Sequence, residues 1–352
     1  MFGSVVREKD IIQAYQAVLG RLPENKEVIR DHQKRGSLQA VIKALIESDE
    51  FSSKFIIKNP KHDLISAKDI LRRHELENRS FSAGYITNFI GVDTNVRFCG
   101  WTSEGVESDL PVPGNFHATF TEWAAALRAV DLARQDFTVI ELGAGWGCWM
   151  VNTAVAAKRR GLTVKAIGVE GDEAHVSYIA QHCAKNGLTP AEFRVERCVA
   201  WGGNGFAAFP RSDNANSAYG QEPRFFETAE DVDAFVASSG CNWDVLPAKT
   251  LETIAADIAR IDLLHIDIQG GESALIKAAL PALNDKVAYI VVGTHGRQIE
   301  GEIIALLSSN GWILEIEEPC TLPTPLAYGL PYVDGVQGWR NAKLAGAEGR
   351  IP

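Results

Sequence analysis

The 352-residue chain lacks several features that would settle its class at a glance. Its six cysteines, Cys99, Cys148, Cys183, Cys198, Cys241 and Cys320, include no C-x-x-C pair. That argues against a zinc knuckle or a disulfide framework and fits a reducing compartment. No apolar run approaches membrane-spanning length. Met1 to Asp10 places charges where a secretory signal needs an apolar stretch. Basic residues are in deficit, 35 Lys and Arg against 45 Asp and Glu, so the net charge of −10 disfavours a nucleic-acid partner. Internal repeats and low-complexity tracts are also absent. These absences point to a cytoplasmic protein without a membrane span. With 46% apolar and 23% charged residues, the composition is that of a globular chain with room for about two domains.

Three short amphipathic helices open the chain. Asp10 is expected to cap the first, whose apolar positions are Ile11, Ile12, Tyr15, Val18 and Leu19, with Gly20 as its stop. The second carries Val28 and Ile29 and ends near Gly36. Ser37 caps the third, with Leu38, Val41, Ile42, Leu45 and Ile46 on one stripe. Such helices are too short to stand alone and must pack together. Residues 1–56 therefore read as a helical accessory domain suited to partner docking or homo-oligomerisation. Lys58-Asn59-Pro60-Lys61 reads as a linker, and Ser66-Ala67-Lys68-Asp69 as a capping-box-like helix start. Residues 57–120 are expected to form a linker and an irregular cap. From Thr121 to about residue 340, helices alternate with buried strands, and residues 341–352 form a tail.

That alternation predicts an α/β fold with a Rossmann-like, seven-stranded, mostly parallel sheet. Strands are expected at Phe137 to Leu142, Val164 to Val169, Phe193 to Val199, Ile261 to Ile266 and Val287 to Val292. Trp312 to Ile316 and Tyr332 to Trp339 would close the sheet. The intervening helices are Glu122 to Arg134, Met150 to Arg160, Asp172 to Gly187, Glu272 to a halt at Pro281, and Gln298 to Ser309.

The first strand runs into Glu141-Leu142-Gly143-Ala144-Gly145-Trp146-Gly147, a glycine-rich turn that opens a helix. Glycines allow a sharp turn and a close ligand, and a helix N-terminus favours negative charge. That logic serves NAD as well as S-adenosylmethionine. Two details separate them. The dinucleotide fingerprint needs glycine where this chain has Cys148. The acid at Glu141 would repel a pyrophosphate but suit the cationic methionine end of S-adenosylmethionine. Glu170, with Gly171 beside it, closes the second strand, where a carboxylate can accept both ribose hydroxyls.

Glu141 to Gly147 together with Glu170 resembles motifs I and II of class I S-adenosylmethionine-dependent methyltransferases. The stretch Asp262-Leu263-Leu264-His265-Ile266-Asp267-Ile268-Gln269-Gly270-Gly271-Glu272 resembles the FkbM family, whose hallmark is roughly K-I-D-V-E-G-A-E. Thr250-Leu251 also matches it. His265 and Gln269 stand where that family has Lys and Glu, and Gly293-Thr294-His295 where many members have E-x-H. The resemblance implies adenine near Val199, Ala200 and Trp201, and methyl transfer to a hydroxyl of a small-molecule or carbohydrate acceptor. Tyr15 to Arg21 and Ser48-Asp49-Glu50-Phe51 resemble a small helical domain of bacterial surface-glycan proteins.

Ligands of an open α/β sheet bind at the carboxyl ends of its strands, where the fourth delivers Asp267 and the fifth His295. An alkyl hydroxyl needs a base or a metal to take its proton. His295, with an ordinary pKa near 6.5, is the expected base, and Asp267 is expected to orient it, bind the acceptor hydroxyl or contribute to a divalent metal site. Two ligands are few for a divalent metal. His265 shares a strand face with Asp267 and reads as structural, and His117 could belong to a lid. Three alternatives stay open: a nitrogen-directed methyltransferase, which lacks its usual N-P-P-Y, a non-catalytic S-adenosylmethionine-binding scaffold, and an NAD enzyme, opposed by Cys148.

Overall fold

A computed structural model describes residues 6–19, 21–46, 48, 50, 56, 57, 65–100, 102–212, 214–217, 219–321 and 333–345. Gly20, Asp49, Phe51, the expected linker at residues 58–61, Tyr332 and the end of the tail lie outside these residues.

The N-terminal helices α1 (Glu8–Leu19), α2 (Lys26–Gln33) and α3 (Leu38–Ile46) bury Ile11, Tyr15, Leu19, Ile29, Val41 and Leu45 in a core of their own. Asn25 caps α2 and Ser37 caps α3 through their side chains. Asp10 is not a cap: α1 starts two residues earlier, and its carboxylate pairs with Arg7. A two-residue ladder, β1 (Ile56–Ile57) with β2 (Ile65–Ser66), precedes α4 (Ala67–His74). Ser66 stands at the α4 N-cap without a side-chain capping bond, so the expected capping box is not formed. The stretch to residue 120 carries three short strands, β3 (Tyr85–Thr87), β4 (Asp93–Asn95) and β5 (Gly105–Val106), in the order β4-β3-β5. Its side chains Ile70, Leu71, Phe89, Ile90 and Val92 are fully buried in the main core, so this segment is integral to the α/β body.

The body alternates as its hydrophobic pattern requires. Helix α5 (Phe120–Leu132) leads into β6 (Asp136–Leu142), α6 (Cys148–Arg159), β7 (Thr163–Glu170), α7 (Glu173–Lys185) and β8 (Phe193–Arg197). After an insertion come β13 (Leu263–Ile266), α10 (Glu272–Lys286), β14 (Tyr289–Thr294), α11 (Arg297–Ser309), β15 (Trp312–Glu318) and β16 (Gly335–Asn341). The sheet order is β15-β16-β14-β13-β6-β7-β8, with only β16 antiparallel to the rest. Alternate residues sort to opposite faces. Phe137, Val139, Leu263, Tyr289 and Val291 pack with α4 to α7, whereas Ile140, Leu142, Leu264, Ile266, Ile290 and Val292 pack with α10 and α11. Strand order reverses between β6 and β13, which opens the crevice where such sheets bind ligands.

Two further expectations need correction. Helix α10 does not stop at Pro281 but continues to Lys286. The proline removes one intrahelical hydrogen bond, at a cost of about 3 kcal/mol, yet Leu283 beyond it is wholly buried and anchors another turn. The expected strand to Val199 divides at Cys198: β9 (Val199–Ala200) leaves the main sheet and joins a second one. That sheet adds β10 (Gly205–Pro210), β11 (Arg224–Phe226) and β12 (Trp243–Lys249) in the order β11-β10-β12-β9. Helices α8 (Ala229–Ser239) and α9 (Leu251–Ile254) complete the insertion.

Candidate active site

The glycine turn is shaped by what it must avoid. Gly143 has φ +76°, and a Cβ there would stand 1.8 Å from the Asp267 carbonyl oxygen. The end of β13 therefore presses directly on the loop, bringing Asp267 to it. The Gly143 and Ala144 N–H groups both donate to the Val169 carbonyl at 3.0 Å, tying the turn to β7. Glu170 completes the tie: its carboxylate accepts from the Gly145 N–H at 2.7 Å and the Asp172 N–H at 2.7 Å.

Two cavities flank this turn. The first, about 410 Å³, is lined by Gly143, Gly145, Glu170, Gly171, Val199 and Ala200, all six expected there. The insertion supplies its aromatic wall. Trp201 and Phe225 stack with centroids 3.8 Å apart, and Phe209 packs where a Cβ on Gly171 would stand. The second cavity, about 920 Å³, takes Glu141, Ala144, Trp146 and His295. Gly147 borders neither: with φ +76° it is the α6 N-cap, packed on Ile179. The cavities meet at Gly143, Gly145, Tyr219, Gly220, Asp267 and Gln269, which line both.

Glu141 is fully committed by the fold. Its two oxygens accept from the Trp149 and Met150 N–H groups at 3.1 and 2.8 Å, holding the α6 N-terminus. Burial pushes its pKa up to about 7, against the pull of His265 and the two amides. It lines the second cavity and not the first.

The polar cluster at the strand ends is denser than two residues. His295 donates Nδ1–H to Glu272 Oε1 at 2.9 Å, and its Nε2 lies 3.4 Å from Asp267 Oδ1 and 3.9 Å from Asp334. Burial alone would lower the His295 pKa, but Glu272, Asp267 and Asp334 outweigh it and raise it to about 9. His295 is therefore an imidazolium at neutral pH, which corrects the expectation of a free base with an ordinary pKa. Asp267 moves the other way. Burial pushes it up to about 6, with Glu122 and Glu272 adding and His295 and His265 opposing, while its 40% exposed side chain keeps water on the carboxylate. Gln269 donates to Asp267 Oδ1 at 3.0 Å. Among the described residues it is the one non-glycine with positive φ, +58°, and such strain persists where surrounding contacts fix it.

Asp267, Glu272 and His295 are close enough to share a cation, with ligand atoms within 4.8 Å of one another. Glu272 Oε1, however, already accepts from Ile268 N, Gly270 N and His295 Nδ1, so the cluster is built as a hydrogen-bonded unit. Glu272 ends the Asp267-to-Glu272 motif, and that spacing was its signal in the sequence. Phe209, Tyr219 and Phe225 sit in no motif and carried none.

No protein-family model matches the chain. A curated protein of Jannaschia sp. (strain CCS1), named "Putative methyltransferase", is 36% identical over 277 residues, 78% of this chain and 98% of that protein. The fold is Rossmann-like, and this relative makes the chain an enzyme of the methyltransferase class. The chain belongs to the same methyltransferase family as the Jannaschia protein. Solved structures similar to it include methyltransferase FkbM from Methylobacillus flagellatus KT, at 11% identity and TM-score 0.37, covering 93% of this chain and 58% of that one. Another is precorrin-6y C5,15-methyltransferase from Geobacter metallireducens GS-15, at 11% identity and TM-score 0.33, covering 62% and 87%. No helix among the described residues is long and apolar enough to cross a membrane.

Proposed function

We propose that the protein is an S-adenosylmethionine-dependent O-methyltransferase of the FkbM type, acting on a sugar hydroxyl of a glycan or glycosylated metabolite. One observation carries this reading: two cavities meet at the glycine turn, with Asp267 and Gln269 on the shared wall. The smaller cavity fits the methyl donor. Gly143 and Gly145 allow close approach, Glu170 has lone pairs left for ribose hydroxyls, and Val199 to Trp201 border an aromatic wall suited to adenine. The larger cavity receives the acceptor.

When bound, the donor supplies a methyl group on sulfonium sulfur. The acceptor oxygen forms the new C–O bond as the C–S bond breaks, its electron pair passes to sulfur, and the hydroxyl proton goes to Asp267. Gln269 and His295 hold Asp267 Oδ1, and the imidazolium stabilises the carboxylate. A base whose pKa lies near the working pH is the effective one, which favours Asp267 over His295. No cation is needed in this scheme, so activity should survive a chelator. The free thiols fit a cytoplasmic setting, and the N-terminal helices fit docking to a glycan-assembly partner or a second copy. Calorimetry with S-adenosylhomocysteine and with NAD tests the donor: binding of NAD alone would end the assignment.

A further inference from the structure

The larger cavity has a one-sided charge. Glu122, Asp267, Glu318 and Asp334 border it, together with the buried Glu141, whose pKa of about 7 leaves it only partly ionised, and among the described residues no lysine or arginine does. Its cationic side chains are histidines, each already matched: His295 by Glu272 and Asp267, and His265, whose pKa is raised against burial by Glu122, by that carboxylate. An anionic ligand would enter beside several carboxylates with no free countercharge, and like-charge juxtaposition is strongly unfavourable.

A second, independent observation concerns unmet hydrogen bonds. His265, 1% exposed, lines the cavity with Nδ1 unpartnered, while its Nε2 meets Glu122 at 3.1 Å. His117 lines it with Nδ1 likewise unpartnered, its Nε2 lying 2.7 Å from the Cys148 thiol. Trp149 packs between the two rings, 5.4 Å from His265 and 5.6 Å from His117. Buried polar atoms without partners are rare and call for an explanation. The two ring nitrogens are closed off within the wall, and it is the bordering carboxylates that a ligand meets; hydroxyl groups can donate to them. Phosphates, sulfates and carboxylates only accept and cannot serve the carboxylates.

We infer that the acceptor is an uncharged or amine-bearing polyhydroxylated molecule, and that sugars carrying a carboxylate, phosphate or sulfate are rejected. This rests on the methyl-transfer reading above and narrows its acceptor. Glu318, which accepts from the Thr119 hydroxyl at 2.8 Å, and Asp334, 54% exposed and 3.9 Å from His295 Nε2, carry the discrimination, which is read as a ratio between acceptors so that any change in the basal rate cancels.

The test uses the full chain with labelled S-adenosylmethionine and hexose sets matched in skeleton: methyl glycoside, amino sugar, uronate and 6-phosphate. A parallel set holds neutral and cationic alcohols that are not sugars. Neutral or amino sugars should turn over, with kcat/KM for the acidic members lower by about tenfold or more. Asp334→Lys should narrow that gap by about tenfold, and its melting temperature shows that it is folded; Glu318→Gln should narrow it less. An acidic sugar turned over as well as its neutral counterpart overturns the inference and leaves sugar methylation standing. Turnover confined to neutral or cationic non-sugar alcohols removes the sugar reading and keeps the charge rule. Turnover of no uncharged or cationic compound in either set overturns the inference.

Discussion

At the scale of single residues, the His295 and Asp267 proton affinities make separable predictions. A carboxylate accepts a proton only when ionised, so with Asp267 as base the rate should rise with pH through about 6 and then level. With His295 as base it would rise only through about 9. A profile of kcat/KM against pH reads this directly, and Asp267→Asn should lower turnover by ~10²–10⁴-fold. His295→Gln should move the acidic limb upward, because the cation that favours the Asp267 carboxylate is gone. An unmoved limb would remove His295 from the scheme. Glu170→Ala should weaken S-adenosylhomocysteine binding by about 2–4 kcal/mol, through lost charge-assisted hydrogen bonds and a loosened Gly145 amide. Calorimetry decides it, and affinity equal to wild type would leave Glu170 a loop anchor only.

Elements constrain the same loop more severely than its side chains do. A Cβ at Gly143 would overlap the Asp267 carbonyl, and the residue's φ disfavours any side chain. Gly143→Ala should therefore lower the melting temperature and abolish donor binding, because either β6 or β13 must shift. Gly203→Ala meets nothing within 4 Å, has no positive φ and serves as the control; it should stay within about 0.5 kcal/mol of wild type. A Gly143→Ala protein as stable as that control would mean that the turn is not packed as described. The main-sheet strands were legible because they are continuous apolar runs bounded by turn residues and covered on both faces, Val139 and Ile140 or Val291 and Val292 going to opposite cores. Strand β10 was not: Gly-Phe-Ala-Ala-Phe-Pro has no alternation, and its sheet forms from segments distant in sequence. Nor was the run of α10 past Pro281, since local chemistry opposes it and tertiary burial of Leu283 overrides it.

For the molecule as a whole, the N-terminal helices have their own small core, while α4 belongs to the main one. The exposed Lys43–Asp109 ion pair between them, at 3.1 Å, contributes little. We expect deletion of residues 1–56 to leave S-adenosylhomocysteine affinity and methyl turnover unchanged and to alter the oligomeric state or partner binding. Light scattering and calorimetry on the truncated chain check both halves. A folded truncation that no longer binds the donor would show that the helices help to build the site. Cutting beyond α4 should instead cost the fold, because Ile70 and Leu71 are fully buried against the body.

The sequence by itself determined the sheet, its order of helices and strands, the Gly143–Gly147 turn and the arrival of Asp267 and His295 at adjacent strand ends. Those features follow from short-range patterns, periodicity and turn chemistry, which neighbouring residues encode. Tertiary structure alone decided the division of the turn between two cavities, the aromatic wall from the insertion and the gathering of Glu122, Glu318 and Asp334 around the larger cavity. It also decided that His295 holds its proton more tightly than Asp267 does. Proton affinity is set by charges and desolvation in space. Glu272 and Asp334, brought to His295 from either side in the chain, move its pKa in a way that the residues next to it in sequence do not reveal.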